Sequence, residues 1–128
     1  MYDFLFWGMF GITCEVGFTS LRDLLQNKKF NLMGHTSFWM FPIYAVGLTY
    51  GFELIRYLLP NDIIRWLSYP LWIWLLEIIV GLSTAKLGIK LWDYSWLPEK
   101  LHWKGIFSFA HFPIWVLFGI MVETIQFY

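Results

Sequence analysis

Charge is what this chain has least of: nine basic and nine acidic residues in 128, summing to zero, with no run of one sign. A nucleic-acid surface needs clustered Lys and Arg, so no nucleic-acid partner is expected. Soluble domains carry about a quarter charged residues, whereas here 14% are charged and 59% apolar. Cysteine occurs once, at Cys14, which excludes an internal disulfide and leaves the redox compartment open. Neither His-Glu-x-x-His nor any paired His/Cys spacing occurs, so no metal site is read, and no cofactor is implied. Gly-x-x-x-x-Gly-Lys-Ser/Thr is also missing, which excludes nucleotide hydrolysis of the P-loop kind. Met1-Tyr2-Asp3 lacks a basic leader region, and the first apolar run continues without a cleavage-like site. It reads as a retained helix.

What is plentiful is aromatic and aliphatic surface. Thirteen Phe, nine Trp and seven Tyr exceed what a small soluble core encloses, so lipid is the expected solvent for much of the chain. A membrane helix needs about 20 mostly apolar residues, and four stretches qualify: 4–21, 37–59, 64–85 and 105–127. Pro60-Asn61-Asp62 forms a turn between the second and third. Pro42, Pro70 and Pro113 all fall early in their spans, where a missing N–H matters least. Arg22, Lys28, Lys29, Lys86, Lys90, Lys100 and Lys104 cluster in the loops after spans one and three, against only Arg56 and Arg65 on the other side. By the positive-inside rule, loops 22–36 and 86–104 are expected to be cytoplasmic and both termini outside. Tyr2, Tyr57, Trp66, Tyr69, Trp92, Trp103 and Tyr128 read as an interfacial aromatic belt.

One segment occurs twice. Gly34-x-x-Ser37-Phe38-x-x-Phe41-Pro42-Ile43-Tyr44 returns as Gly105-x-x-Ser108-Phe109-x-x-Phe112-Pro113-Ile114-Trp115. An internal repeat implies one structural unit used twice. Combined with the orientation, it predicts two similar hairpins, 1–60 and 61–128, related in parallel by a pseudo-twofold axis along the membrane normal. The expected fold is therefore all-α: an integral membrane four-helix bundle in a single membrane domain. An aromatic segment, 91–97, is expected at the interface or folded back on the bundle before the fourth helix.

Each span carries one glutamate: Glu15, Glu53, Glu77 and Glu123. An acidic side chain at mid-helix costs roughly 2.5–3.5 kcal/mol on insertion scales unless protonated or paired. The repeat sorts them into an inner pair, Glu15 with Glu77, and an outer pair, Glu53 with Glu123. Their neighbours fall on shared helical faces: Gly8, Gly11, Glu15, Thr19 and Arg22; then Glu77, Gly81, Thr84 and Gly88; then Ser108, His111, Gly119 and Glu123. Gly47-x-x-x-Gly51 adds a spacing that lets helices approach closely. One reading is a proton- or cation-binding pathway. The other is a set of hydrogen-bonded glutamates joining helices, with Arg22, Arg56, His111 and Tyr44 as partners. Both stand for the inner pair, whereas the outer pair, nearer water, favours structural or solvated roles. His35 and His102 read as interfacial surface residues, His111 as a deeper helix contact and Cys14 as inert packing.

Cys14-Glu15, Pro42-Ile43-Tyr44 with Gly47, Glu77, and Trp92-Asp93-Tyr94-Ser95 together resemble the transmembrane-protein-229 group. That group belongs to a CmpB-like membrane family labelled "ABC-transporter type IV". The likeness runs through nearly the whole chain in order, and Trp-Asp-Tyr-Ser is its most specific element. The wider family carries Asn-Arg-Gly before span two and Asn-Leu-x-Gly-Arg before span four. Here Asn31-Leu32-Met33-Gly34 and His102-Trp103-Lys104-Gly105-Ile106 stand instead, so no role of those arginines is carried over. The resemblance implies a multi-pass membrane protein. Its transporter label, without a phosphate-binding loop, implies at most a membrane subunit served by a separate ATPase.

Three functions are carried forward. The first is a small transporter or permease-like component. Glu15 and Glu77 bind a proton, cation or cationic substrate, and Glu53, Glu123, Thr19, Tyr44 and His111 line the pathway. Four helices enclose little space, so a homo-oligomer or a partner membrane protein in the lipid bilayer is expected. The second is a non-catalytic scaffold or lipid-binding subunit acting through Trp92, Trp96 and Trp103 as an exposed patch. The third, ranked last, is an intramembrane enzyme built on Asp93 with His102 or His111. No nucleophile–base spacing supports it, and no enzyme is expected.

Overall fold

The computed structural model describes residues 2–28, 33–34 and 36–127. Met1, Lys29, Asn31, Leu32, His35 and Tyr128, which enter the readings above, lie outside the described residues, as does the side chain of Tyr2. In chain order the elements are α1 (Tyr2–Asn27), α2 (Met40–Val46), a π-helical turn (Gly47–Gly51), α3 (Phe52–Leu58) and α4 (Asp62–Lys86). A 3₁₀ turn (Glu99–Leu101), strands β1 (His102–Trp103) and β2 (Phe107–Ser108), a second 3₁₀ turn (Phe109–His111) and α5 (Phe112–Phe127) follow.

Among the described residues three helices are long and apolar enough to cross a membrane: Asp3–Asn27, Asp62–Lys86 and Phe109–Phe127. The second expected span is helical through 40–58, in three consecutive segments. Its Gly47 and Gly51 bracket the π-helical turn. A Cβ on Gly51 would meet nothing within 4 Å, so that glycine marks no close helix approach among the described residues. Burial is inverted relative to a water-soluble helix. On α4, Leu67, Leu71, Leu75, Ile79 and Leu82 are exposed while Arg65, Tyr69 and Glu77 are buried. An outward apolar face around inward polar groups suits a lipid surround.

The chain forms two compact units, Met1–Leu54 and Ile55–Tyr128. In the first, α1 packs on α2. Gly8 leaves room for the Phe41 ring, whose nearest atom would lie 2.6 Å from an added Cβ, and Gly11 does the same for Tyr44. Gly34 lies against the Val16 carbonyl and the Thr19 and Ser20 hydroxyls of α1. In the second, α4 packs on α5 and on β2. The division falls inside α3 rather than at Pro60. Arg65 donates to the Leu59 and Pro60 carbonyls (2.8 and 3.1 Å), which draws the end of α3 into the second unit.

Both ends of α4 carry recognisable stop signals. Asn61 is the N-cap, its Oδ1 accepting the Ile64 N–H at 3.1 Å. At the other end Gly88 takes φ +72°. Ile89 N–H reaches back to Thr84 O (2.9 Å) and Gly88 N–H to Ala85 O (3.1 Å), a Schellman arrangement.

The segment before α5 departs from the expected start of the fourth span at Gly105. Residues 102–108 form a two-stranded antiparallel hairpin with His102 opposite Ser108 and Trp103 opposite Phe107. Lys104 and Gly105 adopt φ +52° and +71°, and His102 Nδ1 accepts the Gly105 N–H at 2.9 Å. Left-handed turn residues of this kind close a short hairpin and do not continue a helix. The helix therefore starts at Phe112 rather than at Gly105. Both copies of the repeated segment lead through a turn into a helix with a proline in its first turn, yet their glycines do different work: Gly34 seats against α1, and Gly105 makes the hairpin turn.

Candidate functional site

The four glutamates occupy four different settings. Glu123 on α5 is 2% exposed. It accepts from Arg65 Nε (2.9 Å) and Nη2 (2.5 Å) and from the Tyr69 hydroxyl. Arg65 and Tyr69 are one turn apart on α4, as are Gly119 and Glu123 on α5. Gly119 has no side chain to keep the Tyr69 ring away, so Tyr69 can reach along α5 to the carboxylate. The expected contact of Glu123 with interfacial water is thus replaced by burial against Arg65. Tyr69, expected in the aromatic belt, has no exposed surface. Arg65 and Tyr69 are the polar residues that the sequence reading missed. Their signal was Asp62-x-x-Arg65-x-x-x-Tyr69, a spacing that puts all three on one side of a helix.

Glu53 on α3 is exposed. Glu15 on α1 is half-buried, and its carboxylate accepts from the Thr36 hydroxyl at 3.2 Å and from Tyr44. Thr19, a turn further along, is buried and donates to the Val16 carbonyl at 3.1 Å.

Glu77 differs from all of these. It is 8% exposed, on the third predicted span. The Tyr94 hydroxyl donates to Oε1 at 3.3 Å, while Oε2 is buried without a hydrogen-bond partner among the described residues. Tyr94 also lies over His111, ring centroids 5.0 Å apart, and Trp96 and Trp115 flank the same imidazole at 6.3 and 6.0 Å. His111 is 3% exposed. Tyr94 thus covers both the Glu77 carboxylate and the His111 imidazole.

The Trp92-Asp93-Tyr94-Ser95 segment builds that cover, and each of its residues has a definite contact. Trp92 Nε1 donates to Ile106 O at 2.7 Å. Asp93 Oδ1 accepts from Ser95 N (2.9 Å) and Ser95 Oγ (2.6 Å), closing an Asx turn, while Oδ2 meets Lys90 Nζ at 2.9 Å. Tyr94 N–H donates to Gly105 O at 2.9 Å, which holds the phenol over α4. Partial burial raises the Asp93 carboxyl, but the Ser95 hydrogen bonds and Lys90 outweigh it and hold its pKa at about 2. Asp93 is therefore engaged by its own turn and by Lys90, and His102 Nδ1 by the Gly105 amide. Neither bonds the other among the described residues.

Chemically, a buried carboxyl with one unused oxygen takes up a proton or a cation, and aromatic faces tolerate positive charge. No group of three or more His, Cys, Asp or Glu suited to a metal ion occurs among the described residues. No protein-family model matches the chain, and no solved structure matches it.

Proposed function

We propose that this is a small transporter or permease-like membrane component, in which Glu77 in the second unit and Glu15 in the first bind a proton or a cation. The observation that carries the reading is Glu77 Oε2, buried in a membrane-length helix with no hydrogen-bond partner among the described residues. An orphan buried acceptor calls for an occupant, and an intramembrane carboxyl is a functional site by default. Tyr94 and His111 extend that site, and Thr36 and Tyr44 give Glu15 a matching hydroxyl environment. Glu123, saturated by Arg65 and Tyr69, belongs to the scaffold of the second unit.

The proposed topology places loops 22–36 and 86–104 in the cytoplasm and both termini outside, supported by the distribution of Lys and Arg. The repeated segments support two duplicated, parallel hairpins. Membership in the transmembrane-protein-229 group is part of the proposal, supported by the sequence motifs Cys14-Glu15, Pro42-Ile43-Tyr44 and Trp92-Asp93-Tyr94-Ser95. Few helices are available to enclose a pathway, so a homo-oligomer or a partner membrane protein is part of the proposal.

Proteoliposomes test it. Pyranine-loaded vesicles under an imposed potassium gradient report proton flux, and labelled rubidium reports cation flux. Wild-type protein is expected to raise one of them above protein-free vesicles, and Glu77→Gln with Glu15→Gln to remove the increase. Equal flux in wild type and the double variant would sink the reading. A scaffold role is the second reading, favoured by Trp96 and Trp103, which remain 40% and 37% exposed beside the buried cover.

A further inference from the structure

We infer that the groove between the C-terminal end of α4 and the 102–108 hairpin binds the headgroup of an anionic phospholipid. The groove has a volume of about 350 Å³ and lies wholly within the second unit. It exists because the left-handed Gly88 turns the chain away from the helix axis, and Ile106 seats against Gly81 at a distance that leaves no room for a side chain there. Lys90 and Lys104 both line it, and no acidic side chain does. Asp93 reaches Lys90 from outside the lining and fixes its ammonium group, while Lys104 Nζ stands 4.9 Å from the centre of the Trp103 ring. Lysine suits a phosphate as a point charge, without demanding the planar geometry of arginine.

The rest of the lining tells a lipid from a soluble phosphate. Ile89, Trp92 and Ile106 supply apolar walls that a free anion has no use for. Helix α4 has 25 residues, about 37 Å at 1.5 Å per residue, so its ends reach the headgroup level of a bilayer with an apolar core of about 30 Å. A phosphodiester set between the lysines thus has its glycerol on Ile89 and Ile106 and its acyl chains directed to the bilayer core. This site uses neither Glu15 nor Glu77, so it stands or falls independently of transport.

Native mass spectrometry of the full chain, released from micelles holding equal amounts of dioleoylphosphatidylglycerol and dioleoylphosphatidylcholine, tests it. Wild type is expected to retain phosphatidylglycerol preferentially. Lys90→Gln with Lys104→Gln is expected to abolish the preference. Lys104→Gln alone, which keeps the Lys90–Asp93 pair, is expected to weaken it, and Lys28→Gln at the end of α1 to leave it intact. No preference in wild type, undiminished preference in both groove variants, or equal loss in Lys28→Gln would overturn the site. Displacement of the lipid by an equal concentration of inorganic phosphate would overturn its assignment to a lipid.

Discussion

Arg65 grips Glu123 with two hydrogen bonds, Nε to Oε2 at 2.9 Å and Nη2 to Oε1 at 2.5 Å, and both side chains are buried. The same guanidinium donates to Asp62 (2.5 Å) and to the Leu59 and Pro60 carbonyls. A guanidinium has five N–H groups, and all five find acceptors here. Arg65 therefore ties the turn after α3, the start of α4 and the C-terminal half of α5 to one point. Glu123 is the counter-charge that makes a buried cation tolerable.

Removing one partner of such a pair strands the other. Glu123→Ala is expected to destabilise the second unit by roughly 3–5 kcal/mol, whereas Arg65→Met combined with Glu123→Leu is expected to be far milder. Unfolding in mixed micelles, followed by circular dichroism, measures both. A single variant no worse than the double would mean that the pair is more hydrated than its burial indicates.

Gly119 and Gly17 give a matched comparison. A Cβ on Gly119 runs into the Tyr69 ring, whereas one on Gly17 meets nothing within 4 Å. Gly119→Ala is expected to cost about 1–3 kcal/mol through overpacking and to loosen the Tyr69–Glu123 hydrogen bond. Gly17→Ala, mid-helix in α1, is expected to stabilise by about 0.5–1 kcal/mol. The same micelle unfolding assay ranks them, and equal effects would show that the Tyr69 contact is dispensable.

Helices long enough to span a membrane were legible because apolar runs of that length admit little else, and the Pro60-Asn61-Asp62 turn carried its own cap. The partner of Glu123 was not legible. Periodicity assigns residues to faces of one helix, and Arg65 stands 58 positions away on another. Counting Arg65 as a flanking charge and Tyr69 as a belt residue followed from their closeness to a span end. What overrode that was Gly119, whose missing side chain lets Tyr69 and α5 approach. The hairpin at 102–108 was hidden for a different reason: Lys104 has φ +52° with no residue-type signal for it. The Trp-Asp-Tyr-Ser segment was expected either at the interface or folded back on the bundle, and its contact with Glu77 depends on that hairpin.

Asp93 predicts an acid transition confined to the loop. Its pKa is lowered from 3.8 to about 2 by Ser95 and Lys90, against the effect of partial burial. The stabilisation is complete above the unfolded value and is lost as pH falls through about 2. Its side chain is 40% exposed, so screening keeps the contribution within about 1 kcal/mol. The Ser95 amide proton, which donates to Asp93 Oδ1, is expected to shift in nuclear magnetic resonance spectra with a midpoint near pH 2. Asp93→Asn is expected to remove that titration. A midpoint near 4 in wild type would show that the turn is open in solution.

Gly88 and Gly105 share a backbone conformation but not an environment, which separates strain from contact. Both have positive φ, +72° and +71°. Around Gly88 the space is empty, so Gly88→Ala bears only the left-handed penalty of about 1–2 kcal/mol. An added Cβ on Gly105 would lie 2.6 Å from Asp93 Oδ1, so Gly105→Ala bears that penalty and also pushes on the Asx turn. Hydrogen exchange locates each effect. Gly88→Ala is expected to speed exchange at the Ile89 amide, which closes the end of α4. Gly105→Ala is expected to do so at the Tyr94 amide, whose acceptor is Gly105 O. Because that second bond holds the Tyr94 phenol over Glu77, Gly105→Ala alone is expected to disturb the buried carboxyl as well. If both variants leave Tyr94 equally protected, the hairpin is not what positions the cover of Glu77.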